Sequence, residues 1–457
     1  LSRPGGLARA AIWACALAAA PGSATAQRID QYLIPDIRGT DEQAGVTVES
    51  RLRPAYDYPG IHIGSFILRP ELVETAGYDD NVLSQPSPRG SSFEETQATA
   101  SLTSLWVDDR LQATVTVDDS EYLDLPRQSY TNWTATLFGS HAIGRDVLSA
   151  TYSHLNENQT PAGLGVPQLD SPAAFRIDDG RVSYSALFNR LTVQPGLALT
   201  SYSFDNGTEL GVPFIQTYRD RVVVTPSVNA EYEYAPLRTA VLFASDSIAT
   251  YSNQIAGQPS RDYNDFSVLG GISYDTGGKV RLRLLAGYEV RTFSSMQYQT
   301  ISSPIVEASA IWTPTGLTTL TATASRYIED SSSEVTTGYT ETALKLVVDH
   351  ELLRNVLLRV TARYTTDDYD AGENAAGVSQ GGGGSQSFFA LRFGVTWLIN
   401  RHLRLAAGYQ FAHRSSGSGS GTVINDEVAG LGVQSVSGVF GSSYNDNRAF
   451  VTLRFGL

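Results

Sequence analysis

From about Pro59 onward, apolar and polar side chains alternate in segments of roughly ten to fourteen residues, and helical spacing is absent. In the last segment Ala449, Val451, Leu453, Phe455 and Leu457 share one face, while Phe450, Thr452, Arg454 and Gly456 share the other. Val280, Leu282, Leu284, Ala286, Tyr288 and Val290 alternate in the same way with Lys279, Arg281, Arg283, Gly287, Glu289 and Arg291. A period of two is that of a β-strand with one face against an apolar medium and the other against water.

The links between these segments alternate between short and long. Tight links fall near Asp108-Asp109, Gly144-Arg145-Asp146, Asn189-Arg190, Ala235-Pro236, Gly277-Gly278, Thr315-Gly316, Arg354-Asn355 and Asn400-Arg401. Longer polar stretches lie around 79 to 92, 157 to 172, 205 to 216, 252 to 262, 294 to 300, 369 to 386 and 415 to 443, with shorter ones near 123 to 128 and 331 to 335. The layout predicts an all-β transmembrane antiparallel β-barrel of about eighteen strands, with short periplasmic turns and long extracellular loops. Lipid offers the backbone no hydrogen-bond partner, so such a sheet must close on itself. Aromatics near segment ends are expected to form interfacial girdles: Trp106, Tyr122, Tyr130, Trp133, Tyr152, Tyr184, Tyr234, Tyr274, Trp312, Tyr364, Trp397 and Tyr409. A secreted sandwich or solenoid also uses many short strands, but it would not explain the rhythm of the links, and no fixed repeat is present.

Composition narrows the setting. The 457 residues carry a formal charge of -14, with 17 Phe and 23 Tyr. That balance argues against a disordered chain and against a nucleic-acid binder. Arg3 and Arg9 precede an apolar run from Ala10 to Ala20, then Pro21 and the small-residue site Ala24-Thr25-Ala26, as in a secretory signal peptide over residues 1–26. Cleavage there would make Gln27 first, remove Cys15, the one cysteine, and take the charge to -16, since two arginines and no acid are lost. Thiolate metal sites and disulfides are thereby excluded from the mature chain. Residues 27–59 are expected as a periplasmic tail or a short lumenal insert, too short for a globular plug, and 60–457 as the barrel.

The stretch from Leu68 to Val82, LRPELVETAGYDDNV, resembles the opening of the putative beta-barrel porin 2 family, in which a first strand beginning RPxL runs into GYDDNV. The final strand resembles an outer-membrane insertion signal, with Phe455 and Leu457 in its apolar phase; Leu457 stands where a terminal Phe is usual. The resemblance implies an outer-membrane channel of a Gram-negative bacterium, assembled by the barrel-assembly machinery. It also implies an association with exopolysaccharide production and export, and it brings no catalytic residues.

With the apolar phase toward lipid, Arg281, Arg283, Arg291, Arg359, Arg363, Arg392, Arg404 and Arg454 point inward, as do Asp118, Glu231, Glu233 and Glu307. Five of the arginines fall on the last four strands. Either they form a basic wall facing carboxylates across a wet pore, or the charges pair within a packed interior. His62, His141, His154, His350, His402 and His413 are scattered with no metal-ligand spacing; Asp79-Asp80-Asn81 offers oxygens that could help hold calcium but lacks the rest of an EF-hand-type loop and reads as a solvated outer loop, so no metal or cofactor is assigned. Ser149, Ser153 and His154 are close in sequence, but 153 and 154 point to opposite faces, so no enzyme is expected. Loop 415–443 is a candidate restriction or an external lid; the glycine-rich tract in 371–387 is a flexible outer loop. The expected function is an outer-membrane porin for passive passage of polar solutes, with barrels able to associate as homo-oligomers. Polysaccharide export and a non-conducting anchor for surface loops are the alternatives.

Overall fold

The computed structural model describes residues 47–161, 169–209, 211–254, 259–332, 337–369, 384–416, 422–423, 436–437 and 443–457. Residues 1–26, most of 27–59 and most of loops 371–387 and 415–443 lie outside the described residues.

Eighteen long strands follow one another in the described chain. They are β1 (Phe66–Asp79), β2 (Ser91–Ser104), β3 (Asp109–Tyr122), β4 (Tyr130–Ile143), β5 (Asp146–Gln159) and β6 (Ala173–Phe188). Next come β7 (Leu191–Phe204), β8 (Arg221–Ala235), β9 (Arg238–Tyr251), β10 (Tyr263–Asp275), β11 (Val280–Phe293) and β12 (Ile301–Thr315). The last six are β13 (Thr318–Asp330), β14 (Gly338–Leu353), β15 (Val356–Tyr369), β16 (Gly384–Leu398), β17 (Leu403–Ser416) and β18 (Tyr444–Gly456). Each pairs antiparallel with its neighbours in sequence, and β18 pairs with β1 from Glu71 opposite Gly456 to Asp79 opposite Arg448. That last ladder closes the sheet, so no edge is left to face lipid. At the short-turn end several hairpins have two-residue loops, such as Gly144-Arg145, where Gly144 takes a φ of 67° that suits a tight hairpin.

The predicted phase is observed. On β11 Leu282, Leu284 and Tyr288 are exposed, whereas Arg283, Leu285, Glu289 and Arg291 are buried. Trp106, Tyr234, Trp312 and Trp397 are exposed near the short-turn end, where a girdle belongs. Two of the predicted girdle residues are corrected: Tyr122 and Tyr130 turn inward and pack with Phe93 beneath Val82. They lie at the long-loop ends of β3 and β4, in phase with buried Ser120, so strand parity overrides a count of aromatics near strand ends.

The cross-section departs from a circle. A round barrel of eighteen strands about 4.8 Å apart would separate the backbones of strands five apart by roughly 27 Å. Yet Arg221 of β8 reaches Asp330 of β13 at 2.7 Å. Glycines on adjacent strands permit the bend: a Cβ at Gly271 would lie 1.9 Å from the Leu284 carbonyl oxygen, and one at Gly287 would lie 1.7 Å from that of Val268. The concave corner is filled by Val241, Phe243, Leu269, Leu285 and Ile305. Several inward positions in this region are therefore apolar and buried, beside charged ones such as Arg283 and Glu289, which the polar inner stripe read from sequence does not foresee.

With this orientation, Leu284→Arg, near the middle of the lipid face of β11, is expected to cost about 2–4 kcal/mol, and Val280→Arg, at its periplasmic end, about 0–1 kcal/mol. Reversible unfolding in phospholipid vesicles measures both; equal costs would contradict the assigned bilayer position.

Candidate functional site

The candidate site is the barrel interior. Strand parity places all twelve charged residues named from sequence on the inner face. Their partners are mostly local. Arg281 bonds Asp275 at 3.0 Å, Arg291 bonds Asp265 at 2.6 Å and Asp330 at 2.8 Å, and Arg454 lies 3.6 Å from Glu71. Arg283 lies 3.6 Å from Glu231, Asp118 accepts from Gln97 at 3.4 Å, and Glu307 accepts from Tyr327 Oη at 2.8 Å. Glu233 is exposed toward the short-turn end. Arg392 stacks over Phe450 at 4.6 Å, and Arg363 donates to Thr365 at 3.2 Å. The arrangement is one of local pairs and stacks, with carboxylates on the same or nearby strands as the arginines they meet.

The outer end is layered with arginine and tyrosine. Arg221 lies over Tyr202 at 4.2 Å, Arg291 over Tyr263 at 4.2 Å, and Arg261 over Tyr218 at 5.7 Å. The link between β7 and β8 folds inward here, and Tyr218 Oη donates to the Ser332 carbonyl at 2.6 Å. In that link burial pulls the Arg219 guanidinium down to about 10, still charged at neutral pH, where it stacks over Phe204 at 4.0 Å.

At the short-turn end a feature appears that sequence reasoning leaves open. Residues 47–60 run along the inside of the wall from β13 to β18. Val48 N donates to Thr319 Oγ1 at 3.0 Å, and Arg51 and Arg53 both bond Glu351 Oε2, at 3.0 and 2.8 Å. Arg51 also reaches the Gly316 carbonyl. Glu49 meets Arg359 at 2.5 Å, and Arg359 is held in turn by Asp349 at 2.6 Å. Farther along, Arg404 donates to the Tyr56 carbonyl at 3.2 Å and lies over the Tyr58 ring at 4.4 Å. Gly456 makes the close approach possible, since a Cβ there would sit 2.7 Å from that ring. Burial pushes the Tyr58 phenol up to about 12, with Arg404 opposing the rise, so it stays protonated. The described part of 27–59 is held against the inner face by contacts to residues some 300 positions away that no local pattern announces.

Between this segment and the outer layer, part of the lumen stays accessible. Thr323 on β13 and Lys345 on β14 are exposed on the inner face, and the Arg359 side chain is 42% exposed. Lys345 sits opposite Arg363 in the ladder. It was legible as an inward residue, because it stands between Leu344 and Leu346, which are both exposed on the lipid face.

The histidines stay apart: His141 bonds Asp109, His154 bonds Asp178, His350 meets Thr318, and His402 meets the Gly456 carbonyl. Ser153 is buried on the inner face with Thr136, while His154 packs against Trp133 on the other. The solvated-loop reading of Asp79-Asp80-Asn81 is corrected: Asp79 and Asn81 are 5% and 2% exposed, because Asn81 ties the turn to the Asn445 and Gln85 carbonyls.

A family model described as putative beta-barrel porin 2 matches residues 53–435. No curated protein matches the chain. Among solved structures, the FrpB iron transporter from Neisseria meningitidis (F3-3 variant) is 8% identical with a TM-score of 0.42, over 85% of this chain and 81% of that one. The outer membrane protein OpdK from Pseudomonas aeruginosa is 12% identical with a TM-score of 0.42, over 85% and 99%. Copper transporter OprC is 9% identical with a TM-score of 0.43, over 87% and 81%. At these TM-scores the likeness carries no argument about what passes through the barrel. The family match covers most of the closed sheet and the end of the segment before it: the chain is an outer-membrane barrel channel or transporter and belongs to the putative beta-barrel porin 2 family.

Proposed function

We propose that the barrel passes polar solutes passively, through a lumen narrowed at its periplasmic end by residues 47–60. The observation that carries this reading is the exposed inner stretch at Thr323, Lys345 and Arg359, bounded below by the insert and on one side by the packed corner over β9–β12. Water-accessible cations in a narrow, low-dielectric passage raise the local concentration of anions. The favoured cargo is therefore a small anionic or neutral polar solute, and no covalent step is needed. The exposed inner hydroxyl of Thr323, opposite Lys345, also suits hydrogen bonding to sugars, which favours the second reading, an export conduit for polysaccharide.

Glu351 is the hinge of the insert, since one carboxylate oxygen holds two arginines. Glu351→Gln is expected to loosen residues 47–60 and raise single-channel conductance or open time in planar bilayers; a current identical to that of the wild type would remove the restriction role. Silence of both proteins would favour the anchor reading. Replacing Lys345 and Arg363 together by Ser is expected to move the reversal potential in a salt gradient toward cation preference, and an unchanged potential would contradict their part in selectivity.

A further inference from the structure

The two ends of the barrel sheet meet at the outer rim, where β1 runs into the turn Asp80-Asn81 and β18 begins. Asp80 N donates to the Asn447 carbonyl at 3.1 Å, and Asn447 returns bonds from N and Nδ2 to the Asp80 carboxylate, both at 2.7 Å. Asp79 Oδ1 accepts from Asn81 N at 2.9 Å. These contacts bring Asp79, Asp80 and Asp446 together, so that one carboxylate oxygen from each lies within 4.8 Å of the others. Residues some 367 positions apart supply the set.

Two of the three carboxylates are 5% exposed. Asp446 Oδ1 is shut off from solvent and has no hydrogen-bond partner among the described residues. The guanidinium opposite Asp79 in the ladder, that of Arg448, donates to Glu95 at 3.3 Å and stacks on Phe93 at 3.8 Å. The seam thus gathers Asp79, Asp80, Asp446 and Glu95 near the Arg448 guanidinium. Buried like charges with an orphaned oxygen are costly unless something positive sits between them.

The geometry points to a divalent-cation site at the barrel seam, formed by Asp79, Asp80 and Asp446 and suited to Ca²⁺. An all-oxygen carboxylate set selects a hard cation, and Ca²⁺ accepts irregular oxygen geometry at about 2.4 Å, whereas Mg²⁺ demands a near-ideal octahedron at roughly 2.1 Å. The remaining positions would fall to water and backbone carbonyls. The ion would tie the end of β1 to the start of β18, the one ladder whose strands are not joined by a loop, and so stabilise closure by mass action.

The test uses the full chain refolded in detergent, stripped with EGTA and titrated with CaCl₂, with MgCl₂ in parallel and Tb³⁺ luminescence as a binding readout sensitised by nearby tyrosines. Saturable Tb³⁺ binding displaced by Ca²⁺ is expected, with a rise of several degrees in the melting temperature and a smaller response to Mg²⁺. Asp446→Asn is expected to lose that response, yet to melt in EGTA no lower than the wild type, because one buried repulsion is gone. If that variant does not fold, Asp80→Asn serves for the same comparison. Absence of saturable binding to the wild type, or an equal calcium shift in wild type and variant, would overturn the site and leave a proton shared between Asp79 and Asp446 as the neutralising group.

Discussion

Every backbone N–H and C=O at membrane depth must find its partner inside the protein, and this requirement governs the rest of the molecule. A strand cannot bond to itself, so the sheet closes, and the closing ladder joins residues 71–79 to 448–456. Closure divides each strand into two environments. One phase carries Leu282, Leu284, Leu344 and Leu453 toward acyl chains, and the other carries charge, hydroxyls and a few large apolar groups toward the enclosed space. The outward stripe obtains its stabilisation from lipid, which leaves the inner stripe free to be polar.

What occupies the enclosed space then decides whether the barrel can conduct. Eighteen strands could surround a wide hollow, but the bend at Gly271 and Gly287 brings β8 and β13 together and fills the corner with Leu269, Leu285 and Ile305. The outer end is layered with arginine and tyrosine, and the periplasmic end is crossed by residues 47–60. The accessible stretch near Lys345 and Arg359 lies between them. Charge pairing follows the same economy: buried arginines such as Arg291 keep carboxylates within direct bonding distance, which holds them in place and limits how far their field extends across the lumen.

The wall of the barrel was legible in the sequence because lipid imposes a period of two with little tolerance. Leu282, Arg283 and Leu284 could be assigned to faces from three letters, and the short and long links could be matched to the two ends. Parity also sufficed to place Lys345 inside, and it would have turned Tyr122 and Tyr130 inward had it been weighed above their position near strand ends. The contents of the barrel were far less legible. Arg51 and Arg53 meet Glu351 across 300 and 298 positions, and Asp80 meets Asn447 across 367. Such pairs depend on which strands the closed sheet makes neighbours and on where it bends, and neither appears in a local pattern of apolar and polar residues.

Because removal of residues 1–26 would leave a chain without cysteine, single cysteines can be placed one at a time from 281 to 290 of β11 and spin-labelled. Collision of each label with oxygen, which partitions into lipid, and with a water-soluble nickel chelate reads the two faces directly in reconstituted vesicles. The account predicts high oxygen and low nickel accessibility at 282, 284, 286 and 288, and low oxygen accessibility at the positions between them. An accessibility profile without that two-residue period, or nickel reaching 284 as readily as oxygen does, would contradict it.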